Sequence, residues 1–296
     1  MTALVLLDLG YSFGEPNHVV LLPWVLRRMD PGLLANDWFV STVAAHPNFV
    51  GLLGWAVRWT TLPAALVGLH VAGMLVLLGA AYRIANLLFD DRRAFYVAVF
   101  LLLRWGTEGL GSNGLWSNYP VPHTLAVPLC LLAFYFALRG KLMAAAVAAA
   151  AATWMHIQLG PLTMLVLGLG MLPSVRRFVP AGVVYLALVA PTLVRQWLAY
   201  VSAASPLSTS EFVYLHAAFR QPHHLLPFTW PGAEFYRFFL VLGIAALAGG
   251  WRQQPHRTIL KWCWIILGLC VVGTVFVEIW PVKLVIKLQL FRLTIF

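Results

Sequence analysis

Long apolar runs alternate with short polar joints along most of the chain. A helix needs roughly 20 apolar residues to cross a bilayer, and several runs are shorter. The pattern predicts an all-α, polytopic transmembrane helical bundle of about 8–10 spans, counting two incomplete terminal segments. The pair 142–156 and 159–172 is either a hairpin of two tilted helices or one helix and a re-entrant piece. The predicted spans lie at about 62–82, 94–104, 123–138, 142–156, 159–172, 178–194, 235–250 and 258–277.

The composition agrees with this pattern. Apolar residues make up 61% of the 296 residues and charged residues only 10%, whereas soluble domains carry about 25% charged residues. We expect residues 1–296 to form a single transmembrane domain, and the apolar segments at its two ends indicate truncation at both. The net charge of +10 does not indicate nucleic acid, because the basic residues mostly lie at segment ends, where they orient membrane helices.

The short joints predict the orientation. "YRIANLLFDDRRA", "RGK", "PSVRR" and "WRQQPHRTILK" are compact and basic, so the positive-inside rule assigns them to the cytoplasm. The outer loops are then about 15–61, 104–122 and 195–234. Most acidic residues fall on or near the outer face, and so do seven of the nine histidines, which makes this face the expected place for chemistry. The outer histidines are His18, His46, His123, His156, His216, His223 and His224.

The first outer loop contains spaced acidic residues. Glu15 and His18 are three residues apart, and "VVLLPWVLRRM" is expected to lie as an interfacial helix. Asp30 precedes a proline and Asp37 precedes an aromatic pair. For both aspartates, helix capping or a turn is the alternative to a functional role.

Two later motifs combine histidine with polar partners. His156 and Gln158 lie at the predicted outer turn that follows an alanine-rich helix. "RQPHH" supplies Arg220, His223 and His224, which could grip a phosphate, although a solvated loop with incidental histidines is the alternative. No HExxH or CxxC spacing indicates a zinc site.

Arg292 lies inside the last apolar segment. Gln289 is three residues earlier, so a helix would place both side chains on one face. An arginine in a membrane requires a partner such as an acid, a backbone carbonyl or a lipid phosphate. The alternatives are that Arg292 snorkels to the surface or pairs with Asp8.

Four segments together bring a known family into view. "EPNHVVLLPWVLRRMDPGLLANDWF", "ATWMHIQLGP", "FRQPHHLLPFTWP" and "LQLFRL" resemble bacterial GT-C-like polytopic membrane proteins, specifically an uncharacterised branch. That superfamily includes glycosyltransferases that use polyprenyl-phosphate sugars. The resemblance implies a multi-pass protein of the bacterial inner membrane with its active region in the outer loops.

The resemblance also implies roles for individual residues. In GT-C enzymes an acidic residue of the first outer loop is the catalytic base or a metal ligand, and this role passes to Asp37, with Glu15 as second candidate. These acidic residues form no compact DxD or ExD motif. The cofactor stays open, with a divalent metal ion as one option, and no residue is assigned as its ligand. The expected substrate-binding residues are His18, His156, Arg220, His223, His224 and Arg292.

The leading hypothesis is therefore a membrane glycosyltransferase that takes a sugar from a polyprenyl-phosphate donor at the extracytoplasmic face. Its partners would be membrane lipid and the lipid-linked sugar. The alternative is a non-enzymatic polytopic transporter or lipid-binding scaffold. A transporter would place polar residues along a path across the bilayer, whereas a dead scaffold would scatter the outer polar residues rather than gather them in one cavity.

Overall fold

The computed structural model describes residues 5, 8, 10–14, 16–42, 44, 46–105, 109–202, 207–248 and 254–296. The structure is 80% helical, and no β-strand occurs within these ranges. The all-α prediction is therefore confirmed. The α-helices are α1 (Pro16–Met29), α2 (Trp38–Ser41), α3 (Pro47–Ala56), α4 (Leu62–Phe89), α5 (Arg92–Trp105), α6 (Pro122–Leu138), α7 (Leu142–Met155), α8 (Leu159–Gly170), α9 (Val175–Ser202), α10 (Thr209–Phe212), α11 (Pro222–Leu225), α12 (Gly232–Ala248), α13 (His256–Thr274) and α14 (Lys283–Leu288).

Shorter helical turns connect these helices. Two are wider π-helical turns, which continue α10 and α13, and the others are tighter 3-10 turns. The π turns are Val213–Arg220 and Val275–Ile279, and the 3-10 turns are Leu110–Ser112, Leu172–Ser174, Pro227–Thr229 and Leu290–Ile295.

Three helices are long and apolar enough to cross a membrane. They are α4, the Val175–Ala199 part of α9, and α13 with its π turn, at 28, 25 and 24 residues. The other predicted spans are also helices, but α7 has 14 residues and α8 has 12. Such helices are only about 18–21 Å long, which is less than the roughly 30 Å hydrocarbon core. The total number of membrane crossings stays a prediction.

Helices α7 and α8 are joined by a short turn and pack closely against each other, which fits both of the alternatives that the sequence left open. Alanines of α7 are buried along the contact, among them Ala145, Ala149 and Ala152. A Cβ at Gly160 of α8 would lie 2.0 Å from Thr153 Oγ1 and 2.3 Å from the Ala149 carbonyl. Small residues let helix backbones approach closely in an apolar environment. The turn between α7 and α8 holds His156 and Gln158 at one end of the bundle.

The segment predicted to be an interfacial helix is helical and forms α1. It packs against α3 through a cluster that includes Val25, Phe49 and Leu53. His18 of α1 is buried, and its Nε2 lies 3.1 Å from the Pro120 carbonyl. This bond ties α1 to the irregular segment that leads into α6.

The C-terminal segment is not one continuous helix, contrary to the expectation for Gln289 and Arg292. Helix α14 ends at Gln289, whose φ of 52° is left-handed, and a 3-10 turn follows. Leu110 N donates to Thr294 Oγ1 at 2.9 Å, and Phe291 packs within 3.3 Å of the position of a Cβ on Gly273. These contacts fold the segment back onto the bundle and direct Arg292 inward.

Candidate functional site: a polar cavity lined by histidine and arginine

A cavity of about 620 Å³, here called the polar cavity, opens where α1, α3, α6, the α7–α8 turn and the C-terminal 3-10 turn meet. The Val213–Arg220 turn and α11 complete its wall. Among the described lining residues the ionisable groups are histidines, arginines and Tyr119, with three glutamines beside them. The histidines, arginines and glutamines are His46, His123, His156, His216, His224, Arg220, Arg292, Gln158, Gln221 and Gln289.

Arg292 holds the most enclosed positive charge of the cavity. Its Nε donates to the side-chain oxygen of Gln289, and Gln289 Nε2 donates to Gln221 Oε1 at 2.6 Å. Among the described residues no carboxylate forms an ion pair with it. Burial lowers the pKa of Arg292 to about 10, so the guanidinium remains charged at neutral pH. It therefore faces the cavity as a cation without an anionic partner in the described chain.

His46 and His156 form a pair at the cavity wall. Their ring centroids are 4.7 Å apart, with the planes inclined at 38°. The Nδ1 atom of each ring is buried and has no hydrogen-bond partner among the described residues. Burial, and next the charge of Arg292, lower the pKa of His46 to about 4. Burial and then His46 lower the pKa of His156, which is 5% exposed, well below 6.5, so both rings are neutral at pH 7.

His224 is oriented by the segment that precedes α6. Its Nδ1 lies 2.6 Å from the Gly111 carbonyl, and because a carbonyl only accepts, Nδ1 carries the hydrogen. Burial lowers the pKa of His224 to about 4, although the bond to Gly111 opposes the shift. Gly111 itself has φ of 69°, and a Cβ there would lie 2.7 Å from the Trp230 ring. Only glycine suits this position.

The outer carboxylates of the described chain are all engaged with backbone N–H groups, and none of them lines the polar cavity. Each one caps a helix, closes a turn or anchors a loop. The acceptor and donor pairs are Asp30 with Gly32, Asp37 with Val40, Glu211 with Ser208, Glu234 with Gly111, and Glu278 with Phe228.

Of the two expected catalytic residues, Asp37 does not line the polar cavity, and Glu15 lies outside the described residues. Asp37 is exposed and caps α2, with its Oδ1 3.1 Å from Val40 N. Glu108 likewise lies outside the described residues. A catalytic role for Asp37 or Glu15 stays a prediction.

The six expected substrate-binding residues divide into two groups. His156, Arg220, His224 and Arg292 line the cavity, while His18 and His223 do not. His18 is buried. Gly14 N donates to its Nδ1, and its Nε2 lies at the Pro120 carbonyl. Both ring nitrogens are therefore occupied by hydrogen bonds to the backbone. His223 is exposed, and its ring lies 4.1 Å from that of His224.

Several lining residues escaped the sequence-based assignment. His46, His123 and His216 all line the cavity, so five of the seven predicted outer histidines gather there. The positive-inside orientation was the signal available for them, because it placed all seven on one face. Of the three glutamines of the wall, Gln158 and Gln289 were indicated by their positions close to His156 and Arg292, whereas Gln221 carried no comparable signal.

A second, apolar cavity of about 370 Å³ adjoins the first. Side chains of α4, α5 and α6 form its wall, including Met74, Leu77 and Val99. Trp116 and Ile295 line both cavities. The apolar cavity and the polar cavity thus share these two residues as part of their walls.

Two further observations concern similar proteins and metal binding. Comparisons with protein-family models, with curated proteins and with solved structures found no match. Within the part of the chain that the structure describes, no three His, Cys, Asp or Glu side chains are placed to hold a metal ion.

Proposed function

We propose that this protein is a GT-C-like membrane glycosyltransferase that binds a polyprenyl-phosphate-linked sugar, with the phosphate in the polar cavity. The transfer would take place at the extracytoplasmic face of the bacterial inner membrane. The observation that carries the proposal is the enclosed, charged guanidinium of Arg292, whose hydrogen-bond partner in the described chain is the side-chain oxygen of Gln289 alone.

A phosphate is the ligand that this wall favours. A guanidinium in a poorly solvated site gains most from an anion, and its planar fork matches two phosphate oxygens. Arg220 supplies a second guanidinium. A neutral imidazole can donate its single N–H, although that of His224 is already bonded to the Gly111 carbonyl. A cation would be repelled by the arginines. The glutamines Gln158 and Gln221 provide amides of the kind that bind sugar hydroxyls.

The adjoining apolar cavity supports an amphiphilic ligand. A phosphate next to Arg292 lies near Ile295, which also faces the apolar cavity. A hydrocarbon chain leaving the phosphate would find there a wall of aliphatic side chains such as Leu77. Because such a chain already lies in apolar surroundings in the bilayer, its gain in this cavity comes from close packing rather than from removal from water. A lipid-linked phosphate uses both cavities, whereas a free sugar phosphate uses one.

A non-enzymatic lipid-binding scaffold is the second candidate. The observation that favours it is the absence of aspartate and glutamate from the described lining of the polar cavity. Transfer requires a base for the acceptor hydroxyl, and Asp37 and Glu15 are the residues that the resemblance offers.

The test is native mass spectrometry of the gently extracted full-length protein. We expect a bound polyprenyl-phosphate species, and we expect Arg292→Gln to lower its occupancy by roughly tenfold or more, since charge-assisted bonds are the strong ones. Arg237→Gln is the matched control, because Arg237 lies on α12, donates to the Ala233 carbonyl and does not line the cavity.

The same preparation separates the two candidates. Release of free polyprenyl phosphate from the bound lipid-linked sugar, on addition of an acceptor-containing cell extract, supports the transferase. Binding without any turnover supports the scaffold. Ordinary phospholipids alone, retained equally by Arg292→Gln and Arg237→Gln, would contradict both.

A further inference from the structure

His46 and His156 are held by different parts of the fold. His46 occupies the N-cap position of α3 but makes no capping hydrogen bond, and His156 ends α7. Helices α3 and α7 pack against each other, which brings the two rings to a centroid separation of 4.7 Å. Their Nδ1 atoms are buried without partners in the described chain. Buried polar atoms are normally satisfied, so this pair has capacity for a hydrogen or a ligand.

The other imidazoles of the cavity are more fully engaged. His123 Nε2 lies 3.1 Å from Ser117 Oγ, and His224 Nδ1 lies 2.6 Å from the Gly111 carbonyl. The His216 ring stacks on Phe212 with centroids 5.0 Å apart. Among the described histidines that line the polar cavity, only His46 and His156 have a buried ring nitrogen without a hydrogen-bond partner.

The charged and titratable groups that face the pair are cationic or neutral. They come from α6 and the segment before it, from the Val213–Arg220 turn with α11, and from the C-terminal 3-10 turn. Within the described lining none is a carboxylate. They are Tyr119, His123, His216, Arg220, His224 and Arg292. A proton on either ring of the empty cavity would meet only like charge and burial, and these lower the pKa of His46 to about 4.

We propose that the His46–His156 pair is the proton-accepting site of the polar cavity, and that it takes up a proton when a phosphate-bearing amphiphile binds beside Arg292. The inference rests on the proposed function. An anion at Arg292 offsets the positive charge that, together with the larger effect of burial, keeps the pair neutral, and it adds a negative charge that favours an imidazolium. The proton comes from solvent and forms an N–H bond at an imidazole nitrogen.

The pair accepts a single proton rather than two. A second imidazolium at a centroid separation of 4.7 Å would repel the first in a poorly solvated site. The bound state thus holds about one proton more than the free state.

The direction of the pH dependence follows from this difference. Because the complex binds more protons than the free protein, affinity increases as pH falls below the pKa of the pair in the complex. The gain ends near the pKa of the pair in the empty cavity. Between these limits affinity changes by up to about tenfold per pH unit.

The probe is a methyl phosphodiester of a short prenol, because a phosphodiester has no second ionisation that would itself take up a proton. Isothermal titration calorimetry in two buffers of different ionisation enthalpy gives the number of protons taken up. For the unmodified protein at about pH 6 we expect uptake of about one proton per ligand. His46→Gln and His156→Gln should each reduce the uptake, and the double variant should abolish it.

His256→Gln is the matched control, because His256 begins α13 and does not line the cavity. Circular dichroism and size-exclusion chromatography check that the variants fold. If a variant misfolds, the pH dependence of ligand affinity in the unmodified protein tests the inference instead. An affinity that does not change between about pH 7.5 and pH 5.5 overturns the inference.

Two other results have distinct meanings. Binding with unchanged proton uptake in the double variant assigns the proton to another group, which overturns the inference and leaves the proposed function intact. Failure of the phosphodiester to bind at any pH removes the proposed function, and the inference with it.

Discussion

The guanidinium of Arg292 donates through Nε to the side-chain oxygen of Gln289, which stands at the left-handed residue that ends α14. Gln289 is 4% exposed, and its Nε2 donates onward to Gln221 Oε1 at 2.6 Å. One amide thus connects the buried cation to the segment that carries "RQPHH". Gln289 is a positioning residue for Arg292.

Replacing Gln289 separates the side-chain network from the backbone strain. We expect Gln289→Leu to lower the free energy of unfolding by about 1–3 kcal/mol, because two buried polar groups lose their partner. Gln289→Gly should cost less, since glycine adopts φ of 52° without strain. Both should weaken binding of a prenyl phosphodiester. Thermal melts and calorimetry measure the two effects, and unchanged affinity in both variants would show that Gln289 does not position Arg292.

Two substitutions of Asp37 separate its role as a helix cap from a catalytic role. Asparagine caps helices about as well as aspartate, so Asp37→Asn should leave thermal stability and lipid binding unchanged. Asp37→Ala should cost about 0.5–2 kcal/mol of local stability. Amide exchange across Trp38–Ser41 reports this loss, since its first N–H bond is to Asp37.

The transferase assay on Asp37→Asn then tests the role that the resemblance assigns. Loss of sugar transfer with lipid binding intact would support Asp37 as the base. Retained transfer would remove Asp37 from the mechanism.

The positions of the helices could be predicted, because an apolar run requires a helix in a membrane wherever it occurs. The short helix α8 is a case where the sequence located the element but could not give its relation to the bilayer. Two alternatives for α7 and α8 followed from length alone. The close contact at Gly160 shows that the two helices pack together, and which of them crosses the bilayer stays a prediction.

It was harder to predict from the sequence which residues meet in the polar cavity. Orientation placed His46 and His156 on one face, but their contact depends on how α3 packs against α7, and no local pattern encodes that packing. The break at Gln289 was also hidden, because "LVIKLQLFRL" has a helical pattern. The tertiary contacts of Phe291 and Thr294 override it.

Gly160 provides a test of the α7–α8 packing. Its added Cβ would meet the Ala149 carbonyl at 2.3 Å, and backbone cannot rotate away as a side chain can. We expect Gly160→Ala to destabilise the protein by about 1–3 kcal/mol or more. Gly268→Ala in α13 is the control, because nothing lies within 4 Å of its Cβ position, and it should be neutral or stabilising by up to about 1 kcal/mol. Equal melting temperatures for the two variants would contradict the close α7–α8 contact.

The ligand-free protein should lose stability as pH falls from about 6.5 to about 4. Burial lowers the pKa of His46 and of His224 from 6.5 to about 4 in the folded state. In this interval the unfolded chain binds more protons than the folded one, so stability declines as pH is lowered. Each histidine can shift the unfolding equilibrium by up to about tenfold per pH unit.

Thermal melts of the ligand-free protein across this interval measure the effect. His224→Gln should flatten the curve, whereas His256→Gln should not. Glu211 also has a lowered pKa, mainly through its bond to Ser208, but its contribution is lost only below the ordinary carboxyl value of 4.5, so most of the histidine interval lies above it. A midpoint temperature that stays constant between about pH 6.5 and pH 5 would mean that these imidazoles are not held neutral by burial.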